Sequence, residues 1–189
     1  MPCYSEPPPQ EDDEDPGRSF GRLIETPSPI KFLSVADVPG YTLIESLNQR
    51  FEGHDSPTWI ENWSKPGKPG ESSNRIRILV YPLKTRSESF ETAEEIFRTT
   101  RDKNQPRLHG RPNPGSYTGR SIGDFVWAYN TEVVLNRQSW GLLVVQGAYL
   151  FRLQANDDSG LRDADVESLA LKVAAKLKAS KRPGCDDEH

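Results

Sequence analysis

Apolar and polar residues alternate with a period of two in several stretches of this chain. Residues 58–64 place Trp59 and Trp63 on one face, which is typical of a strand with a large aromatic side. Residues 75–81 alternate arginine with isoleucine and then become continuously apolar, which predicts a strand that ends buried. The first half of the chain is therefore predicted to contribute strands to a sheet.

The second half of the chain also predicts strands. Phe125, Trp127 and Tyr129 alternate on one face. Further along, Gln146-Gly147 separates two apolar runs, and a short turn that contains glycine predicts a β-hairpin there.

Two stretches follow a helical period instead. Residues 90–102 predict a helix with Ser89 as its N-cap. A second helix, capped by Asp163 or Asp165, follows from apolar residues that recur at helical spacing. These residues are Val166, Leu169, Ala170, Val173, Ala174 and Leu177.

The order of these elements predicts an α+β domain, with an antiparallel sheet of about six strands packed with two main helices. The domain is predicted to span 30–180, and its residues 30–38 form either a first strand or a short docking segment. Residues 1–29 are rich in proline and acids, so we expect a disordered tail there. Residues 181–189 are predicted to form a second disordered tail.

Composition narrows the class of protein. The chain has 189 residues, a mean hydropathy of −0.73 and two cysteines, so neither a membrane span nor a disulfide scaffold is predicted. No signal peptide is recognised in this chain. Net charge is −4, but residues 1–17 hold six acids and no base. Without both acidic ends the domain is mildly basic, which by itself does not indicate nucleic-acid binding.

The layout as a whole resembles a known family. Its pieces are Val38-Pro39-Gly40-Tyr41, a strand at 76–81, a helix at 90–102, the Gly123-Asp124 step before a strand, a hairpin at 142–153 and a terminal helix. Over residues 30–180 this resembles the PsbP-like superfamily, which includes LpqN-type lipoproteins and a Ran-binding nuclear transport protein. The resemblance implies a sheet packed between helices and a mostly non-enzymatic role, and it brings no catalytic residues.

The residues that commonly carry chemistry are sparse. The histidines are His54, His109 and His189 and the cysteines are Cys3 and Cys185, and none of them has the spacing of metal ligands. There is no Gly-x-Ser-x-Gly motif, and the glycines near residue 67 alternate with prolines that lack the N–H groups a phosphate site needs. We therefore predict no catalytic residue, no metal and no cofactor.

A basic stretch over residues 98–120 is the first candidate binding surface. Arg107, Arg111 and Arg120 belong to it, and arginine interleaved with aromatic residues suits an anionic ligand. The ligand could be nucleic acid, another anionic partner or the acidic residues 11–15 of the chain itself. An ordinary solvated loop is the remaining alternative.

The aromatic strand residues form the second candidate surface. Trp59, Trp63, Trp127 and Tyr129 either fill the core of the sheet or line a groove for a ligand or peptide. Both alternatives are open at the level of sequence.

Cys3 is a candidate site of lipid attachment. A cysteine near the start, followed by a proline-rich acidic spacer and a domain, is the layout of a mature bacterial lipoprotein. No lipobox is present, and an incidental cysteine in the tail of a cytoplasmic protein is the alternative. The cellular location is therefore either the cell envelope or the cytoplasm, and membrane association requires acylation of Cys3.

Together these features predict a non-catalytic binding, adaptor or assembly-factor module with an unknown protein or peptide partner. The first alternative is a protein that binds nucleic acid or another anion through the basic stretch, and this binding should weaken steeply with salt. The second alternative is an enzyme with an unrecognised site.

Overall fold

Seven antiparallel strands and two helices make up the described part of the chain. The computed structural model describes residues 22–52, 57–66, 74–103, 119–133, 137–156, 161 and 163–180. The elements are β1 (Leu23–Pro27), β2 (Thr42–Phe51), β3 (Thr58–Lys65), β4 (Asn74–Pro82), α1 (Arg86–Lys103), β5 (Phe125–Val133), β6 (Arg137–Gln146), β7 (Tyr149–Asn156) and α2 (Asp163–Ala179). The strand order is β1-β2-β3-β4-β7-β6-β5. The α+β class is confirmed, with one strand more than about six.

The additional strand is β1, which lies inside the stretch predicted to be a disordered tail. That prediction is wrong for Leu23–Pro27, because these residues pair with β2 from Leu23↔Phe51 to Pro27↔Leu47. The strand is short and mostly exposed, so its apolar pattern is weak and the backbone ladder holds it in place. Pro27 ends an edge strand, a position where the missing N–H is tolerated.

Helix α1 begins earlier than its apolar spacing predicts. Thr85 is the N-cap, since its Oγ1 accepts the N–H of Glu88 at 3.1 Å, while the Glu88 carboxylate accepts the N–H of Lys84 at 2.7 Å. Ser89 is therefore not the cap. It lies within the first turn, is fully buried and donates its hydroxyl to the Thr85 carbonyl at 3.1 Å.

The two helices pack on opposite faces of the sheet. The six apolar residues predicted for α2 are all buried, together with Ile76, Ile78 and Val80 of β4. On the other face α1 packs on β5, β6 and β7, where Ala93 belongs to one apolar cluster with Leu143, Val145 and Leu150. The half of this second face that is formed by β1–β4 does not carry the main packing of either helix.

The predicted hairpin is confirmed, but its two-residue turn is Gly147-Ala148, one position later than the predicted Gln146-Gly147. Gln146 pairs with Tyr149, and Gly147 occupies the turn with a φ of +57°. A positive φ favours glycine because a side chain would crowd the backbone, which explains why the turn falls there.

The segment from residue 30 to residue 41 is not a strand but a docked connection, which was the alternative to a first strand. Phe32, Leu33 and Val38 of this segment are buried on the α2 side of the sheet, whereas Val35 is exposed. Two contacts tie the segment to α2. Lys172 forms an ion pair with Asp37, and Lys176 Nζ donates to the Lys31 carbonyl at 2.8 Å.

The Asp37 contact makes stability depend on pH. The hydrogen bond from Lys172, followed by those from Ser34, holds the pKa of Asp37 well below its ordinary value of 3.8. A lowered folded-state pKa stabilises the fold above the unfolded pKa, and this contribution is lost as the pH falls through the folded pKa.

We expect Asp37→Asn to lower the free energy of unfolding at pH 7 by about 1 kcal/mol, a modest value because the Lys172 side chain is half exposed. The difference from the wild type should shrink as the pH falls below about 4. Urea denaturation at pH 7 and pH 3 measures this, with Glu94→Gln on the exposed side of α1 as control. A difference that does not change with pH would contradict the ionic contact.

Candidate binding surfaces

Glu61 is a fully buried carboxylate in β3, and a buried carboxylate is a candidate reactive group. Oε2 accepts the N–H of Phe32 at 2.8 Å, and Oε1 accepts the N–H of Leu33 at 2.9 Å and the indole N–H of Trp63 at 2.8 Å. Without the Glu61 carboxylate, these three N–H groups would be buried with no hydrogen-bond acceptor. The carboxylate holds the 30–41 segment on the sheet and faces no solvent from which a substrate could reach it.

The tryptophans of β3 belong to the core. Trp59 is 4% exposed and packs against Phe32 and Tyr149, at ring-centroid distances of 6.4 Å and 5.8 Å. Trp63 is 2% exposed and is bonded to Glu61. Of the two alternatives for this face, the structure shows the sheet core and leaves Trp59 and Trp63 no surface with which to line a groove.

Trp127 has a different environment. The rings of Phe90, Phe125 and Trp127 and the guanidinium of Arg86 form a cluster, which we call the aromatic corner. Phe125 is 46% exposed, and its ring lies 4.2 Å from that of Trp127 and 5.8 Å from that of Phe90. The guanidinium of Arg86 lies 5.2 Å from the centre of the Phe90 ring. This partly exposed apolar patch lies where the start of α1 meets edge strand β5. Tyr129 follows in β5, opposite Gly141 of β6.

The Gly123-Asp124 step begins the edge strand beside this corner. The N–H of Asp124 donates to the Val145 carbonyl at 2.7 Å, and its carboxylate accepts the N–H of Gly147 at 2.6 Å. The same carboxylate pairs with Arg86 at 3.3 Å. The step therefore fastens the start of β5 to the β6–β7 turn, which is a structural role for one of the pieces on which the family resemblance is based.

Most of the predicted basic surface lies outside the described residues. Arg107 and Arg111 lie outside the described residues, and so does Cys3; Arg120 is described and exposed. The three histidines and Cys185 also lie outside. Within the described ranges, no three His, Cys, Asp or Glu residues come together in a group that could hold a metal ion.

A surface that the sequence did not single out lies on the α1 side of strands β1–β4. We call it the β1–β4 face. The register aligns one residue from each of β2, β3 and β4 in rows across this face, Leu47–Ile60–Leu79 and Glu45–Asn62–Arg77. These rows continue to Arg152 and Gln154 of β7. At its centre Ile60 and Leu79 are buried, whereas Arg75 and Arg77 are exposed.

The charges on the β1–β4 face are separated. Glu25 and Glu45 lie toward the β1 edge, where each accepts a hydrogen bond from an amide side chain, Gln49 (at 2.6 Å) and Asn62 respectively. Arg75 and Arg77 lie toward the middle of the sheet, and within the described ranges neither side chain takes part in a hydrogen bond or ion pair. The arginine side of this face is therefore available to an anionic group.

The alternation of Arg75 and Arg77 with isoleucine already indicated that one side of β4 is polar. It did not show which side a helix would cover, because that depends on where α1 returns to the sheet. This surface could therefore not be located from the sequence pattern.

Comparison with known proteins yields no relative. No family model, no curated protein and no solved structure matches this chain. Over the described residues, neither helix combines the length and the apolar character needed to cross a bilayer.

Proposed function

We propose that this domain is a non-catalytic binding module that recognises an acidic segment of a partner protein through its β1–β4 face. One observation carries the proposal. The half of the sheet that lies beside α1 exposes Arg75 and Arg77, whose side chains have no partner within the described ranges, beside the buried pair Ile60 and Leu79. Arginine is enriched at protein interfaces, and its guanidinium binds a carboxylate with two N–H groups.

The chemistry of the described residues favours binding over catalysis. The buried carboxylate of Glu61 accepts hydrogen bonds from the backbone of the 30–41 segment. The carboxylate of Asp124 accepts the N–H of Gly147 in the β6–β7 turn. A nucleic-acid ligand fits this face less well, because the rows that hold Arg77 and Leu79 carry no aromatic ring on which a base could stack. The exposed ring on this face, Phe51, lies six residues along β2 from Glu45.

A relationship to PsbP-like binding proteins is part of the proposal. Its support is the antiparallel sheet with a helix on each face and the Gly123-Asp124 step before β5. Attachment to an envelope through Cys3 stays a prediction.

The proposal is tested with a fluorescein-labelled decapeptide that alternates Glu and Leu, and with its Gln-for-Glu counterpart. By fluorescence anisotropy, the Glu peptide should bind the full-length chain and the Gln peptide should not. Arg75→Gln combined with Arg77→Gln should weaken binding about tenfold or more, because two charge-assisted contacts are lost. The matched control combines Arg50→Gln and Lys178→Gln, which remove two exposed cations away from this face.

Equal binding of both peptides would overturn the proposal, and so would binding that the two arginine substitutions leave unchanged. A single-stranded DNA 20-mer is measured in parallel at 50 mM and 300 mM salt. Salt-sensitive binding of the DNA without binding of the peptide would favour the nucleic-acid alternative instead.

A further inference from the structure

We infer that the acidic residues 11–15 of the chain itself dock on the arginine side of the β1–β4 face and compete there with the partner. This inference rests on the proposed function, because it concerns the occupancy of the same face. Residues 11–15 are five consecutive acids, Glu11-Asp12-Asp13-Glu14-Asp15, and they lie outside the described ranges.

The first support is the place where the N-terminal residues join the sheet. The chain enters it at Leu23, at the outer end of edge strand β1. By the register, Leu23 and its partner Phe51 lie on the same side of the sheet as Glu25 and Gln49, which is the side of the β1–β4 face. Both Leu23 and Phe51 are more than 40% exposed. The residues that precede β1 therefore join the domain beside this face.

The second support is reach. Arg77 lies three strands from Leu23, about 14 Å across the sheet at the usual strand spacing. Along the strands the offset is the six residues from Phe51 to Glu45, or about 20 Å. The direct distance is thus about 24 Å. An extended chain can cover about 26 Å between Asp15 and Leu23, so residues 11–15 reach the arginines with length to spare.

The third support is charge. Arg75 and Arg77 are exposed, and neither side chain has a partner within the described ranges. Glu25 and Glu45 would repel an acidic segment at the β1 edge, although each is partly satisfied by an amide donor. The favourable position for residues 11–15 is therefore over β4 and β7. A segment tethered so close has a millimolar effective concentration, and weak ion pairs can then populate the docked state.

The test compares full-length wild type with a variant in which residues 11–15 are neutralised to Gln-Asn-Asn-Gln-Asn. In ¹H–¹⁵N spectra at 50 mM salt, neutralisation should shift the Nε–Hε signals of Arg75 and Arg77 and the backbone amides of β4 and β7. These differences should vanish at 500 mM salt, where exposed charges are screened. They should also be absent when the tail is neutralised in a background that carries Arg75→Gln and Arg77→Gln.

The matched control neutralises the acids at the other end of the chain, with Asp186→Asn, Asp187→Asn and Glu188→Gln. This variant should leave the signals of the β1–β4 face unchanged. Neutralising 11–15 should also tighten the binding of the Glu–Leu decapeptide by about threefold or more, because the intramolecular competitor is removed.

Two failures can be told apart. If the decapeptide binds through Arg75 and Arg77 but neutralising 11–15 moves no signal on this face, the inference is overturned and the proposed function stands. If the decapeptide does not bind the tail-neutralised variant either, both are overturned. Shifts that persist after the arginine substitutions would place the docking site elsewhere and also overturn the inference.

Discussion

Replacing Glu61 with alanine should lower the free energy of unfolding by about 3–5 kcal/mol. The substitution removes the acceptor of three buried donors, the N–H groups of Phe32 and Leu33 and the indole N–H of Trp63. An unsatisfied buried donor costs about 1–3 kcal/mol, and no solvent can replace a side chain that is fully buried. The loss should therefore exceed that of any single exposed contact in this domain.

Glu61→Gln separates hydrogen bonding from simple volume. If the amide oxygen takes the place of Oε1, it still accepts from Leu33 and Trp63, while the amide nitrogen faces the N–H of Phe32. We expect Glu61→Gln to lower the free energy of unfolding by about 2 kcal/mol, less than Glu61→Ala, because only one of the three donors loses its acceptor. Urea denaturation followed by far-UV circular dichroism measures both variants.

The control is Glu94→Ala, an exposed carboxylate on α1, for which a change within about 0.5 kcal/mol is expected. If Glu61→Ala came within 1 kcal/mol of the wild type, the carboxylate would not be what holds the 30–41 segment. A cooperative transition with an unchanged m-value is needed for this comparison.

Gly123→Ala should destabilise the domain by about 2–4 kcal/mol. Gly123 has a φ of +62°, and a Cβ there would lie 2.4 Å from the Val145 carbonyl oxygen and 2.8 Å from Cγ1 of Val144. That carbonyl is also the acceptor for the N–H of Asp124, so it cannot move without breaking the bond that begins β5.

Gly147→Ala is the matched control. Its φ is +57°, close to that of Gly123, but a Cβ at this position meets no atom within 4 Å. We expect it to cost only about 1 kcal/mol, the cost of placing a side chain in the left-handed region. Thermal and urea unfolding of the two variants separate backbone strain from steric overlap. Equal losses would mean that close packing against Val145 contributes nothing.

Features within one element were predictable from local pattern. The spacing of the apolar residues in α2 located its buried face, since a helix of this period has one apolar side wherever it packs. The alternation in 58–64 likewise put Trp59 and Trp63 on one side of β3. The start of α1 was also predictable, because Thr85 and Glu88 have the spacing of a capping box, whereas the apolar spacing alone pointed to Ser89.

Features that depend on contacts between distant residues were not predictable in the same way. The strand β1 carries too few apolar residues to be recognised, and its backbone bonds to β2 define it. Whether Trp59 and Trp63 are buried or exposed depended on the 30–41 segment, which covers their face of the sheet and is held there by Glu61. The exposure of Arg75 and Arg77 depended on α1 packing over β5–β7.

The residues along the chain thus specified the α+β class, the buried side of α2, the β6–β7 hairpin and the two-sided character of β3 and β4, because each follows from the period of one segment. Assembly of the sheet settled which polar side faces solvent, since a strand's pattern marks two faces but cannot state which one a helix from elsewhere in the chain will cover. The candidate surface at Arg75 and Arg77 exists for that reason.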